Sequence, residues 1–383
     1  MALLGHFVAT RPPYVMTQAH SLDWLARAHA QSEAATAGLS PTERDAFADK
    51  MVRLIGRVGC GPGMIATRGS VLPDFTTCES DGSGQNLVYD DPCAPAPRYP
   101  HGRGITRRTE LYSRVVDAYF ARQYTRDAEP PDDLIHVTCT GYVSPSGAQR
   151  VVAANGWGAR TRVTHAYHMG CYAAMPAMRI AAGFICSGSE QVDIVHTELC
   201  SLHLDPSDHR LEQLVIQSLF GDGLIRYSMR ASDDGPGLSP LAACEVLVPD
   251  SADAMSWGTS EWGMQMTLGR EVPDQIAGTL RGVVTELYRR AGLGLDAMKR
   301  STFAIHPGGP KIVDRVGAVL ELAPAQVKTS LDVLREHGNM SSATLPHIWM
   351  RMLADPSIPV GTLIPSLAFG PGLTICGALL EKR

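Results

Sequence analysis

Three side chains in this sequence could perform acyl transfer together: Cys171, His306 and Asn339. Cys171 lies in the run His165-Ala166-Tyr167-His168-Met169-Gly170-Cys171-Tyr172-Ala173-Ala174-Met175. That run joins an extended apolar approach from Val163 to a small-residue helix reaching about Ala182. A thiol at such a junction meets unpaired backbone N–H groups and the positive helix end, and both favour a thiolate. Gly170 leaves room beside the sulfur, and Ala173 and Ala174 keep the first turn slim enough for an acyl chain to pass. His306 follows the strand-like Thr302-Phe303-Ala304-Ile305 and precedes Pro307-Gly308-Gly309-Pro310, a rigid turn that brings helix N–H groups nearby. Asn339 stands in the glycine-broken loop Glu336-His337-Gly338-Asn339-Met340, with Ser341 and Ser342 placed to cap the next helix. The three are so far apart along the chain that only folding brings them together. His polarises a thiol and a carbonyl, and Asn adds a second neutral donor for a developing oxyanion or enolate.

The elements that must position them alternate along the chain. Amphipathic patterning predicts helices over residues 22–37 and 41–57, the second capped by Ser40, and over 109–126, where Tyr112, Tyr119 and Phe120 form a core stripe. Gly59-Cys60-Gly61-Pro62-Gly63 reads as a turn, because no strand–loop–helix unit surrounds it as a nucleotide loop would require. Proline-rich residues 92–103 read as a surface loop. Strands are predicted at 134–138, 192–198, 224–229, 244–248, 264–268 and 373–380, and helices at 211–220, 273–291, 310–320, 325–337 and 341–354. Pro176 predicts a kink one turn into the nucleophile helix. The linker Ser232 to Pro240 divides the chain into residues 1–235, carrying Cys171, and 236–383, carrying His306 and Asn339.

Bulk properties narrow the function classes. A chain of 383 residues is too long for one small core and fits two domains or one large duplicated fold. A net charge of −5 argues against a nucleic-acid partner. Nine cysteines with no CxxC pair predict reduced thiols in a cytoplasmic protein and no metal site. Neither a signal peptide nor a membrane span is read at the N-terminus or elsewhere.

Five segments together give a resemblance: Gly170-Cys171, Ser218-Leu219-Phe220-Gly221-Asp222-Gly223, Ala304 to Pro310, Gly338 to Ala343, and Phe369-Gly370-Pro371-Gly372-Leu373-Thr374. From about residue 130 onward the chain resembles the chalcone synthase-like type III polyketide synthases of the thiolase superfamily. The resemblance implies an α/β thiolase fold with five layers, α-β-α-β-α, in two similar halves, although no internal repeat is visible in the sequence. It implies acylation of Cys171 and condensation assisted by His306 and Asn339, with Gly308 beside the histidine. Phe220 matches an aromatic at the cavity neck; Met266 replaces the second neck aromatic, and Ala368 replaces a usual glycine at the cavity floor. Ser144 lies on a loop expected to reach a partner subunit's cavity in a homodimer. No tightly bound cofactor is implied, only coenzyme A or phosphopantetheine thioester substrates.

The resemblance also leaves a choice of subfamily. The segment expected to grip coenzyme A offers only Lys50, Arg53, Arg57 and Arg68, which favours delivery by an acyl carrier protein. Arg98, Arg103, Arg107 and Arg108 are candidates for carrier docking. That pattern is similar to bacterial ketosynthases of the myxopyronin and corallopyronin type, which join two β-keto chains into an α-pyrone. The alternative is an iterative synthase extending acyl-CoA with malonyl-CoA. Two long apolar arms meeting at the sulfur would favour joining; one arm and a compact pocket would favour iteration. A degradative thiolase would need a second cysteine as base, and Cys376 falls in a predicted strand. A silent partner subunit would lack the three side chains.

Overall fold

The computed structural model describes residues 2–76, 86–93, 98–232 and 235–383. In chain order the first half carries β1 (Leu3–Thr10), β2 (Tyr14–Thr17), α1 (Gln18–Ala37), α2 (Pro41–Val58), β3 (Thr67–Ser70), α3 (Ile105–Gln123), β4 (Asp133–Thr138), α4 (Gly147–Ala154), β5 (Arg162–Tyr167), α5 (Ala174–Cys186), β6 (Gln191–Glu198), α6 (Leu211–Leu219) and β7 (Gly223–Arg230). The second half carries β8 (Leu238–Leu247), β9 (Met255–Thr259), β10 (Met264–Leu268), α7 (Val272–Arg290), β11 (Ala304–Ile305), α8 (Pro310–Leu320), α9 (Pro324–His337), α10 (Thr344–Ala354), β12 (Leu363–Gly370) and β13 (Thr374–Lys382).

Nine strands run in the order β11-β12-β13-β8-β1-β7-β6-β4-β5. The two groups of strands meet at the single pairing Leu4–Leu238 between β1 and β8. Helices α5 and α10 pack in one core with strand residues from both groups, including Ile194 and Tyr227 on one side and Ala378 and Leu380 on the other. On the outer faces, α1 to α4 cover the first group and α7 and α8 the second. The result is the five-layered α-β-α-β-α arrangement. Strand β4 is buried along its whole length and runs parallel to both β5 and β6; Leu134, Ile135 and Val137 pack in the cores, and the buried polar Asp133, His136 and Thr138 are hydrogen-bonded.

Local sequence explains most boundaries. Ser40 and Glu43 form a reciprocal capping box at the start of α2, and Gly38 closes α1 at φ 70°. Four expectations are corrected. Pro176 falls in the first turn of α5, where its missing N–H would have had no intrahelical partner, so the helix has no reason to kink there. Strand β8 already begins at Leu238, and Pro240 is accommodated by a register shift between Leu379 and Leu380 of β13. Ser341 and Ser342 do not cap α10, whose cap residue is Ala343 with no side-chain bond. Seven described cysteines are free, but Cys93 is disulfide-bonded where reduced thiols were expected throughout.

Residues 94–97 of the proline-rich loop and 233–234 of the interdomain linker lie outside the described residues. Strands β1 and β9 and helix α4 escaped the sequence reading. In β1 a register shift between Gly5 and Val8, with His6 at φ 55°, breaks the alternation that would have marked it. No described helix is long and apolar enough to cross a membrane.

The central layer is held to the second group of strands by Trp349 of α10, which is fully buried and donates to Ser366 Oγ of β12 at 2.8 Å. Replacing it removes a large apolar volume and leaves that hydroxyl without its donor. Trp349→Ala is expected to cost about 3–5 kcal/mol in a urea titration, with Trp349→Phe costing clearly less.

Candidate active site

Cys171 lies in the turn that links β5 to α5, three residues before the first helical residue. Gly170 precedes it at φ 81°, and a Cβ there would sit 2.5 Å from Pro371 Cδ, so glycine is required for the turn to pass under the Pro371 loop. The Cys171 Sγ lies 3.9 Å from Ser341 Oγ. Burial pushes the thiol pKa up to about 12; the hydroxyl of Ser341 and the carboxamide of Asn339 oppose that rise, and the nearby Glu198 adds to it. The helix end does not outweigh desolvation, so the resting sulfur is a neutral thiol rather than the thiolate expected from its position.

His306 follows the short strand β11, which pairs in parallel with β12 and fixes its backbone through His306 N donating to Leu367 O at 2.8 Å. The imidazole is 1% exposed, and neither ring nitrogen has a hydrogen-bond partner. Burial lowers its pKa to about 3, so the ring is neutral. A buried imidazole with both nitrogens unused is available to a ligand in the cavity it lines.

Asn339 is set by a seam between the two halves. Its N–H donates to Leu219 O at 3.0 Å, and its carbonyl accepts from Gly221 N at 2.9 Å. Its Oδ1 is occupied by Ser341 N at 2.8 Å and Thr344 Oγ1 at 3.4 Å. That network assigns the amide orientation and leaves Nδ2 to donate toward the sulfur. Gly338 sits at φ 70°, where a Cβ would approach Leu219 O to 2.8 Å.

Two cavities meet at Cys171. The wide one, about 700 Å³, is lined by Cys171, His306, Asn339, Gly308, Phe220 and Met266, and by Arg57, Arg210, Arg270 and Lys311. The compact one, about 50 Å³, is lined by Cys171, Cys139, Cys200, Trp257, Gln217 and others, and shares Phe220 and Met266 with the first. Six of the eight sequence-derived site residues therefore converge. Ser144 does not: it is exposed on the segment between β4 and α4 and lines neither cavity. Ala368 is fully buried in the central core, while its neighbour Phe369 lines the wide cavity in its place.

Arg68 and Arg108 are also corrected. Arg68 is buried and donates to Gln18 Oε1, Gln217 O and Phe220 O, each at 2.8 Å, so it braces the seam rather than gripping a phosphate. Arg108 is 1% exposed and donates to the carbonyls of His101, Arg103, Leu202 and Leu204, so it cannot dock a carrier. Cys376 is buried, donates to Glu245 Oε2 at 3.0 Å and lines neither cavity, which removes it as a thiolase-type base.

Sequence reading missed Glu198, Cys139 and Cys200. Glu198 is fully buried, accepts from Cys139 N at 3.0 Å, Thr140 Oγ1 at 3.1 Å and Ser342 Oγ, and its pKa is raised to about 7 by burial. Its strand, Gln191-Val192-Asp193-Ile194-Val195-His196-Thr197-Glu198, mixes polar and apolar residues, so no local signal marks the carboxylate as buried. Among the described residues no cluster of three or more metal-ligating side chains occurs.

The protonation states give a test. A thiol with a raised pKa is protonated at neutral pH, and its thiolate fraction grows about tenfold per pH unit below that pKa. Iodoacetamide labelling mapped by mass spectrometry is expected to modify exposed Cys186 faster than Cys171 at pH 7, with Cys171 labelling still rising above pH 9. Faster labelling of Cys171 at pH 7 would show an ion pair already formed.

Comparison with known proteins agrees with this geometry. Residues 241–382 match the family of chalcone and stilbene synthases, C-terminal domain. The chain is 28% identical over 376 residues to 1,3,6,8-tetrahydroxynaphthalene synthase of Streptomyces griseus, covering 98% of this chain and 91% of that protein. It is 30% identical over 256 residues to the alpha-pyrone synthesis polyketide synthase-like Pks18 of Mycobacterium tuberculosis, covering 65% and 64% respectively. It also matches probable polyketide synthase 1 of Dictyostelium discoideum at 29% identity, spanning 65% of this chain but only 8% of that much longer protein. The solved 1,3,6,8-tetrahydroxynaphthalene synthase of Streptomyces coelicolor superposes with a TM-score of 0.77 at 26% identity, covering 100% of this chain and 99% of that one. With its fold, its matching C-terminal region and these relatives, the chain is similar to the chalcone synthase-like type III polyketide synthases and shares their thiolase fold.

Proposed function

We propose that the protein is an iterative synthase that acylates Cys171, extends the acyl group with malonyl units and releases the product as an α-pyrone. The observation that carries this reading is the buried, unpartnered imidazole of His306 on the same cavity wall as Cys171 and Asn339. His306 takes the thiol proton as the sulfur attacks a thioester carbonyl, and the leaving thiol departs with a proton. A malonyl thioester then loses carbon dioxide, and its enolate is held by Asn339 Nδ2 and neutral His306. The enolate carbon attacks the acyl group, freeing Cys171 and giving a β-keto thioester. After further extension, an enol oxygen attacks the thioester carbonyl, closing the pyrone and expelling the thiol. The residues 1–235 and 236–383 act as two halves joined at this site.

One wide cavity and one compact one support iteration over the joining of two long chains, which would need two comparable arms. The small chamber leaves room for few condensations, which agrees with a pyrone product and with the name of the mycobacterial relative. Arg57, Arg270 and Lys311 at the wide cavity supply positive charge from three separate segments, a grip for coenzyme A phosphates. The second reading, joining of two carrier-bound β-keto chains in the manner of myxopyronin-type ketosynthases, retains one favourable observation. Buried Arg68 is lost to the nucleotide grip, which weakens the coenzyme A case.

Acyl-CoA plus malonyl-CoA is expected to yield pyrone by mass spectrometry, with Cys171→Ala giving no acyl adduct and His306→Ala slowing acylation about 10²- to 10³-fold. Turnover only of two carrier-loaded β-keto thioesters would replace the first reading by the second. A homodimer belongs to the proposal as well. Strand β5 is the outermost strand of the sheet, with Arg162 and His165 exposed, and Ser144 is exposed on the segment that follows β4. Light scattering is expected to give twice the mass of 41.2 kDa, and Thr164→Pro in β5 to shift it toward the monomer.

A further inference from the structure

Strands β9 and β10 form a two-stranded sheet of their own, detached from the nine-stranded one. Five residues of this hairpin, Met255, Trp257, Met264, Gln265 and Met266, line the compact cavity. The base of the hairpin is tied to α6, with Gln213 Nε2 donating to Met266 O at 2.7 Å and Leu268 N donating to Glu212 Oε1 at 2.8 Å. The tip is held differently. The Trp262 ring lies flat on the His101 ring, with centroids 4.1 Å apart and planes 2° from parallel. His101 Nδ1 is anchored in turn at Ser207 Oγ (2.7 Å) and Asp205 Oδ1 (3.1 Å). The other oxygen of Asp205 accepts from Gln265 of the hairpin at 3.4 Å, and both residues line the cavity.

Beside the stack, Gly263 seats the tip closely. A Cβ there would lie 3.0 Å from Arg108 Nη1 and 3.2 Å from His203 Nδ1. His203 donates from Nε2 to Thr140 O at 2.8 Å and accepts at Nδ1 from Met264 N at 3.2 Å, so it links the hairpin to the cavity wall as a neutral ring. Trp262 keeps 37% of its surface exposed. The stack on His101 is a side-chain contact at the tip, beside the backbone bond in which Ile105 N donates to Glu261 O at 3.0 Å.

We propose that Trp262 and His101 are positioning residues: their stack holds the β9–β10 hairpin against the chain and thereby fixes the volume of the compact cavity and the number of condensations before release. Neither residue lines either cavity. Their effect passes through Gln265 and Asp205 on one side and through Met264 and His203 on the other. The inference rests on the iterative reading for its product readout. The clamp itself is a statement about the hairpin.

The test uses the full chain. A flat aromatic stack of this kind favours the closed hairpin about 3- to 10-fold. Trp262→Ala is expected to change the ratio of longer or uncyclised products to the main product by about that factor, with the rate of Cys171 acylation unchanged. Trp262→Phe is expected to restore most of the wild-type ratio. His101→Gln, which keeps a polar anchor for Asp205 but removes the ring, is expected to shift the ratio as Trp262→Ala does, with the double variant adding little. Hydrogen exchange of residues 255–268 is expected to rise in both variants. An unchanged product ratio together with unchanged exchange would overturn the proposal. If the wild-type chain makes no polyketide, the iterative reading fails, and unchanged exchange in His101→Gln alone then overturns the clamp.

Discussion

The site depends on the seam where Leu219, Phe220 and Gly221 of the first half run beside Gly338 and Asn339 of the second. Two backbone hydrogen bonds, from Asn339 N to Leu219 O and from Gly221 N to Asn339 O, fix the asparagine relative to the cavity neck. Close approach there needs missing side chains. A Cβ on Gly221 would lie 2.8 Å from His337 O, and one on Gly223 would lie 2.6 Å from Met340 Cβ. Asp222 closes the turn by accepting from Val71 N and from both the N–H and hydroxyl of Ser201. Arg68 holds the other side with three hydrogen bonds, two of them to the carbonyls of Gln217 and Phe220. A buried guanidinium is tolerable because every bond it makes replaces one lost to water.

Electrostatics at the sulfur is decided by magnitude. Raising the thiol from 9.0 to about 12 corresponds to about 4 kcal/mol against the charged form. A helix end contributes at most about 2 kcal/mol, and only within its first turn. Desolvation therefore wins, and the same dry surroundings keep His306 neutral. Under the proposed condensation a neutral pair suits the site, since donors without full charge stabilise an enolate without fixing a permanent ion pair.

The sequence made the chemistry more legible than its supports. Cys171, His306 and Asn339 could be singled out because their flanking glycines, prolines and short strands are local features. Helices α2 and α8 could be placed to within a residue because a capping box or a proline marks their starts. Arg68, Arg108 and Glu198 escape a reading of the sequence because burial of a charge is a tertiary fact: the two arginines are surrounded by carbonyls, and Glu198 by N–H and hydroxyl donors, largely from distant segments. Met266 lines both cavities, but the hairpin that carries it is only half visible in the sequence. Strand β9 buries Met255, half-buries Trp257 and exposes Ser256, Gly258 and Thr259, with too few apolar residues to announce itself.

Three thiols line the compact cavity, and their surroundings differ. Cys139 is buried, and its sulfur already accepts the Gly170 N–H at 3.0 Å, serving to shape the turn before Cys171. Its pKa is raised by burial and by Glu198. Cys200 is likewise buried and raised by burial, then by Glu198 and Asp222. Cys171 shares the burial and the carboxyl group, but it alone faces both cavities and has two side-chain donors, Ser341 and Asn339, to receive negative charge. Glu198, itself raised to about 7, thus holds the loop bearing Cys139 in place while disfavouring charge on all three sulfurs. What distinguishes Cys171 among the three thiols is its opening to both cavities and its neutral donors.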